Sequence, residues 1–212
     1  MNAEGFWEGC WQREDPEALN SYLGGYLKLR CDEIDLFQRS GLRTVCDAAC
    51  GFGAYTLALA SNGFHVRSFD ISPTAAAFTR EGLKRFGYAV EVKVADLLCT
   101  GYADGEFDGV FAHSVMDHMT RADAAAALKE LCRIVRPGGL ALLSFDTAEE
   151  ADFYAAHKTL PDGSLLYTGD SSRKGMIFHP YDREQIRSLV AGYEIVMESV
   201  NRKGEQIVVI KV

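Results

Sequence analysis

The chain has 212 residues, 48% apolar and 25% charged, with a formal net charge of −8. A chain of this length buries roughly 70% of the surface its unfolded form exposes, which suits one ordinary domain of soluble composition. The acidic balance, with no lysine and arginine cluster to track phosphates, argues against nucleic acid and for a small-molecule partner. No apolar run approaches a membrane span and no leader pattern opens the chain, so neither a membrane nor an exported location is expected.

Six cysteines stand at positions 10, 31, 46, 50, 99 and 132, without a CxxC pair and without a partnering His-x-x-x-His. No metal site is expected from them, and Cys46 and Cys132 read as small buried hydrophobes. A reducing, cytoplasmic setting fits this usage.

In chain order, residues 6–11 (Phe-Trp-Glu-Gly-Cys-Trp) place Trp7 and Trp11 outside the core strands, either as cover for an apolar patch or as a lid. Asp15-Pro16-Glu17 reads as an N-cap with proline at the first helical position. The helix is expected to run toward Gly41 and bury Leu19, Leu23, Leu27, Ile34 and Phe37, with a break at Gly24-Gly25. Thr44–Ala48 is a short apolar strand, followed by a helix from Gly53 to Ser61 that Asn62-Gly63 closes. Strands are expected at Phe64–Asp70, Val90–Ala95, Phe107–Ala112 and Leu140–Phe145. Helices between them open at Ser72-Pro73 and Thr120-x-x-Asp123, and Thr147-x-x-Glu150 reads as a further capping box. Residues 159–181 mix Gly, Ser and Asp with Leu165, Tyr167 and Phe178, an insertion of the length that often carries function. Asp182 caps a short helix, and Tyr193–Val200 with Glu205–Val212 form a terminal hairpin.

Strand and helix alternate five times before that hairpin, which implies an α/β fold: a doubly wound, mostly parallel sheet with helices on both faces. Ligands of such sheets bind beyond the carboxyl ends of the strands. Those ends carry Asp47 and the loop Ala48-Ala49-Cys50-Gly51-Phe52-Gly53, then Asp70-Ile71, Asp96-Leu97 and His113-Ser114. Any one aspartate there is equally a helix or turn cap; three at consecutive ends beside a glycine loop suggest a ligand. Asp70 is suited to two ribose hydroxyls, Asp96 to an exocyclic amine, and Gly51 and Gly53 to a close approach of ligand to backbone. A dinucleotide loop wants a small residue where this chain has Thr56, which counts against NAD.

The segments VCDAACGFG, FDIS, VADLL, FDGVFAHSVMDHM and LCRIVRPGGLALLSF resemble successive motifs of the class I S-adenosylmethionine-dependent methyltransferases, over about residues 43–146. The terminal hairpin matches the antiparallel seventh strand of that family's Rossmann-like sheet, and Ala49 departs from the glycine often found there. The resemblance implies S-adenosyl-L-methionine as cofactor and methyl transfer to a small molecule. It places Asp47, Ala49, Gly51 and Gly53 along the methionine part, Asp70 on the ribose, Ile71 on the adenine face, Asp96 and Leu97 at the adenine amine, and His113 near the sulfonium. His118 is the candidate base, with a packed histidine as the bland alternative. Trp7, Trp11, His179 and Tyr181 are candidates for the substrate wall. The expected organisation is a lid over residues 1–41, a cofactor core over 42–146, substrate-side elements over 147–192 and the hairpin over 193–212. A cofactor-binding protein without catalysis is the alternative from another class, and an NAD-dependent oxidoreductase a third.

Overall fold

A computed structural model of the chain describes residues 3–212. Its centre is a seven-stranded sheet in the order β3-β2-β1-β4-β5-β10-β9. The strands are β1 (Thr44–Ala48), β2 (His65–Asp70), β3 (Glu91–Val94), β4 (Phe107–Ala112), β5 (Val135–Phe145), β9 (Glu194–Val200) and β10 (Gln206–Lys211). β1 to β5 pair in parallel, while β10 runs antiparallel to both β5 and β9. Strand order reverses between β1 and β4, so the carboxyl ends of those two strands flank the crevice where such sheets bind ligands.

Period-two alternation builds the two faces of the sheet. On β4, Val110 and Ala112 enter one core cluster while Phe111 enters the other. On β5, Ala141 and Leu143 join the first cluster, and Leu140 and Leu142 the second. Both faces are therefore apolar and both carry helices. α6 (Arg121–Ile134) supplies Ala124, Ala127, Leu128 and Leu131 to the first face. α3 (Asp32–Arg39) and α4 (Ala54–Ser61) cover the second with Ile34, Phe37, Ala58 and Leu59.

Local signals set most helix starts. Asp15 caps α2 (Pro16–Leu23), and Ser72 caps α5 (Pro73–Arg85). Thr120 caps α6, and Asp182 caps α8 (Arg183–Leu189). The chain breaks at Gly24-Gly25 into a 3-10 turn (Gly24–Tyr26) before α3 begins. Leu23, Ile34 and Phe37 are buried, but Leu27 stands exposed because it lies past that turn, outside any helix. The capping box expected at Thr147 forms two residues later. Asp152 accepts the Glu149 N–H at 2.8 Å and starts α7 (Glu150–Tyr154), while the Thr147 hydroxyl donates to the carbonyl of Gly204 in the hairpin turn. Residues 157–178 form a small antiparallel sheet, β6 (His157–Thr159), β7 (Leu165–Tyr167) and β8 (Ile177–Phe178), with Leu165, Tyr167 and Phe178 as its own core. Among the described residues no helix is long and apolar enough to cross a membrane.

Gly139 lies where β5 passes β4, and a Cβ there would stand 2.3 Å from the Asp108 carbonyl oxygen and 2.5 Å from Val135 Cγ1. Backbone cannot yield as a flexible side chain does. Gly139→Ala is expected to destabilise the fold by about 1–3 kcal/mol in chemical denaturation. Gly25→Ala, where a Cβ meets nothing within 4 Å, is expected to stay within about 0.5 kcal/mol of the parent.

Candidate functional site

The loop after β1 turns sharply under backbone restraint. Ala49, Gly51 and Gly53 all have positive φ, at 55°, 55° and 91°. The two glycines serve different ends. A Cβ on Gly51 would meet the Trp11 ring at 2.9 Å, and Gly51 borders the cleft. A Cβ on Gly53 would strike Leu83 and Thr79 of α5, each at 2.9 Å, so its bareness lets α4 seat against α5. Gly53 borders neither cavity of the cleft, contrary to the expectation that it brings backbone to a ligand.

Two cavities meet at these strand ends. The first, of about 190 Å³, is bordered by Ala49, Gly51, Asp70, Ile71, Asp96 and Leu97 from the first three strand ends, by Val115 and His118 after β4, and by Trp7 and Trp11 from above. The second, of about 220 Å³, is bordered by Asp47, Tyr55, His113, Lys203 and Glu205. Trp11, Ala49, Gly51 and Ser114 border both, so the two form one bent cleft. Ala49 and Ser114, on opposite sides of the bend, are non-glycine residues with positive φ (55° and 51°), a strained conformation that collects at functional sites. The Ser114 N–H donates to Ser144 Oγ at 2.7 Å, which holds that turn.

Asp70 is buried, with Oδ2 accepting the Gly51 N–H and Oδ1 the Ser72 N–H, each at 2.9 Å. Burial raises its pKa, and these backbone donors oppose the shift. A carboxylate has about four lone-pair sites, so two remain for further donors. Asp96 is exposed at the rim, with Oδ1 taken by the Leu98 N–H at 2.8 Å. Ile71 and Leu97 supply apolar wall beside the two aspartates. Asp47 is buried on the other limb, accepting the Thr56 hydroxyl at 2.5 Å, and burial pushes its pKa up to about 7. Thr56, which spoils the dinucleotide pattern, is thus a buried support for Asp47.

His113 stacks on Tyr55 with ring centroids 4.2 Å apart, and its Nε2 lies 2.9 Å from the Tyr55 hydroxyl. Burial lowers its pKa to about 4, so it is neutral at ordinary pH. His118 borders the first cavity and meets the Trp7 ring edge-on at 5.1 Å, and its Nδ1 is buried with no partner among the described residues. The bland reading of a fully satisfied histidine therefore does not hold.

His179 and Tyr181 are both buried and border neither limb of the cleft. The His179 N–H donates to the Asp117 carbonyl at 2.7 Å, so the pair packs behind the loop after β4 and does not wall the cleft. The insertion's share of the surface is a third cavity, where Arg173, Met176 and Phe178 face Asp146, Lys203 and Glu205.

Sequence reasoning passed over Glu8 and Asp117. Glu8 belongs to α1 (Ala3–Trp11), which lies over the cleft. Its carboxylate accepts the Ser72 hydroxyl at 2.6 Å, the Thr74 hydroxyl at 2.7 Å and the Thr74 N–H at 3.2 Å. These donors sit at the N-terminus of α5, where a negative charge is favourable, and they lower the Glu8 pKa. Its one sequence cue is its place between two tryptophans on a helical face.

A family model described as a methyltransferase domain matches residues 45–139. A demethylmenaquinone methyltransferase of Thermus thermophilus is 31% identical over 72% of this chain and 71% of its own length. The chain belongs to the class I S-adenosylmethionine-dependent methyltransferases. A 2-methyl-6-phytyl-1,4-hydroquinone methyltransferase of Synechocystis sp. is 34% identical over 48% of this chain, a match that spans only 31% of that longer protein. A methyltransferase structure from Methanosarcina mazei superposes with a TM-score of 0.71 at 19% identity, covering 86% of this chain and 97% of its own, which bears on the fold alone. Family membership sets aside the nicotinamide alternative.

Both tryptophans of the chain lie in α1, so their emission reports its position. Glu8→Ala is expected to shift that emission to the red and to speed acrylamide quenching. Unchanged quenching would mean that the Glu8 contacts do not hold α1 over the cleft.

Proposed function

We propose that the protein transfers a methyl group from S-adenosyl-L-methionine to a small-molecule acceptor. The observation that carries this reading is the pair Asp70 and Asp96, carboxylates with acceptor capacity to spare on neighbouring strand ends above one apolar-walled cavity. The donor set fits the cofactor. Asp70 holds the ribose hydroxyls, Ile71 and Leu97 flank the adenine, and Asp96 takes its amine. Ala49 and Gly51 lie along the aliphatic part, with Asp47 at the cationic amino group and His113 beside the bend. Gly53 acts only through the packing of α4. Bound there, the cofactor supplies an activated methyl on a good leaving group.

The chain's own work is then alignment and exclusion of water. Alignment of two reactants is worth on the order of 7–11 kcal/mol, so no further chemical group is obligatory. Trp7 and Trp11 on α1 close the cleft from above, which supports a lid role for α1 within the expected N-terminal segment, while α3 of that segment packs into the core. Segment 147–192 then forms the acceptor side, and hairpin 193–212 contributes Lys203 and Glu205. His118, bordering the cavity with a free ring nitrogen, is the residue that engages the acceptor. The quinone-ring relatives support an aromatic small molecule as acceptor.

Asp70→Asn is expected to weaken S-adenosylhomocysteine binding by about 10- to 100-fold in calorimetry. His118→Gln is expected to leave that binding within threefold and to lower turnover by roughly 10²–10⁴. Equal loss of binding in both variants would refute these assignments.

Asp47 gives the reading a pH signature. Its carboxyl titrates near 7 in the free protein and is held ionised by a cationic ligand group, so binding releases a proton below about pH 7. Affinity should therefore fall as pH drops from about 7 toward 5. Calorimetry in buffers of different ionisation enthalpy measures the released proton, and Asp47→Asn should abolish it.

A further inference from the structure

We propose that Asp117, His118 and Asp146 bind a first-row divalent cation at the acceptor end of the cleft. Asp117 and His118 lie in the loop after β4, and Asp146 follows β5, the adjacent parallel strand. One donor atom from each lies within 4.8 Å of the others. The sheet brings them together: the Asp146 N–H donates to Asp117 Oδ2 at 3.0 Å, fixing one carboxylate oxygen against the end of β5.

The other oxygen is the unexplained one. Asp117 is fully buried, and its Oδ1 has no hydrogen-bond partner among the described residues. Nor has Nδ1 of His118, the next residue in the chain. Buried polar atoms are almost always paired, and an unpaired one signals strain, catalysis or an unseen ion. Two such atoms on consecutive residues, beside a second carboxylate, form a coherent donor set. Among the described residues no lysine or arginine pairs with Asp117 or Asp146, so a dication would balance the two carboxylates.

The chemistry of the set selects the ion. One imidazole nitrogen with two carboxylates suits manganese, iron, cobalt or zinc; an all-oxygen site would suit magnesium or calcium. Neighbouring donors on such an ion stand about 3 Å apart, a contraction within the reach of the broad terminal carboxylate torsions. Three protein ligands leave positions open, the arrangement of a catalytic site rather than a structural one. His118 borders the first limb of the cleft and Asp146 the cavity beneath the insertion, so the site touches both. An oxygen-bearing acceptor is the ligand the ion's open positions take, so that His118 engages the acceptor through the ion, a role that rests on the proposed methyl transfer; ion binding itself does not.

The test is a titration of the full chain with Mn2+, following loss of the free-ion paramagnetic resonance signal. One site per chain is expected, at least tenfold weaker in each of Asp117→Asn, His118→Gln and Asp146→Asn. Glu149→Gln, at the rim of the neighbouring cavity, should bind as the parent does. Zn2+ should displace the bound Mn2+, and a tenfold excess of Mg2+ should not. No site in the parent chain, or binding that survives both Asp117→Asn and His118→Gln, overturns the proposal. Should Asp117→Asn fail to fold, the half-buried Asp146→Asn decides. S-adenosylhomocysteine binding, measured separately without metal, shows whether the methyltransferase reading stands when the metal site falls.

Discussion

The structure of this cleft depends on one carboxylate that accepts two backbone donors. Asp70, at the end of β2, holds the Gly51 N–H of the loop after β1 and the Ser72 N–H that starts α5. That single side chain fixes two turns from different parts of the sequence and fixes its own orientation in the process. A buried carboxylate is costly unless its oxygens are satisfied. Here the satisfying groups are main-chain N–H donors, which oppose the upward shift that burial imposes on the carboxyl, and Asp70 borders the first cavity. The Thr79 hydroxyl adds a second tie, donating to the Gly51 carbonyl at 2.8 Å.

α1 is anchored on the same turn. Ser72 donates its hydroxyl to Glu8 while accepting the Ala75 N–H at 3.0 Å, so the cap of α5 also anchors α1. The contact that holds α1 over the cleft thus runs through Ser72, two residues after Asp70. Trp11 lies over Gly51 and Trp7 against His118. Each tryptophan covers one of the places where a side chain on the strand ends is missing or unpartnered. α1 is held there by three part-buried hydrogen bonds to the Glu8 carboxylate and by the buried Phe6 ring.

Much of the fold was legible because its signals are local. Apolar runs of strand length, the caps at Asp15, Ser72, Thr120 and Asp182, and the five alternations each follow from neighbouring residues. The errors fell where a distant partner intervened. Thr147 left its capping box for the carbonyl of Gly204, across the hairpin turn. Gly53, read as a place for ligand, is bare because α5 packs on it. His179 and Tyr181 looked like substrate wall from a Pro-containing insertion, yet they pack behind the loop after β4.

The sequence by itself determined the architecture and the aspartates at the strand ends, because strand periodicity, capping and the turn after β1 are properties of contiguous residues. Only the tertiary structure decided how those residues are used. It set Gly51 at the border of the cleft and Gly53 in the packing against α5, tied Glu8 to a helix more than sixty residues away, and gathered Asp117, His118 and Asp146 at one point. The physical reason is that hydrogen-bond satisfaction and close approach are settled between side chains distant in sequence. No spacing rule along the chain records which buried oxygen finds a partner and which is left without one.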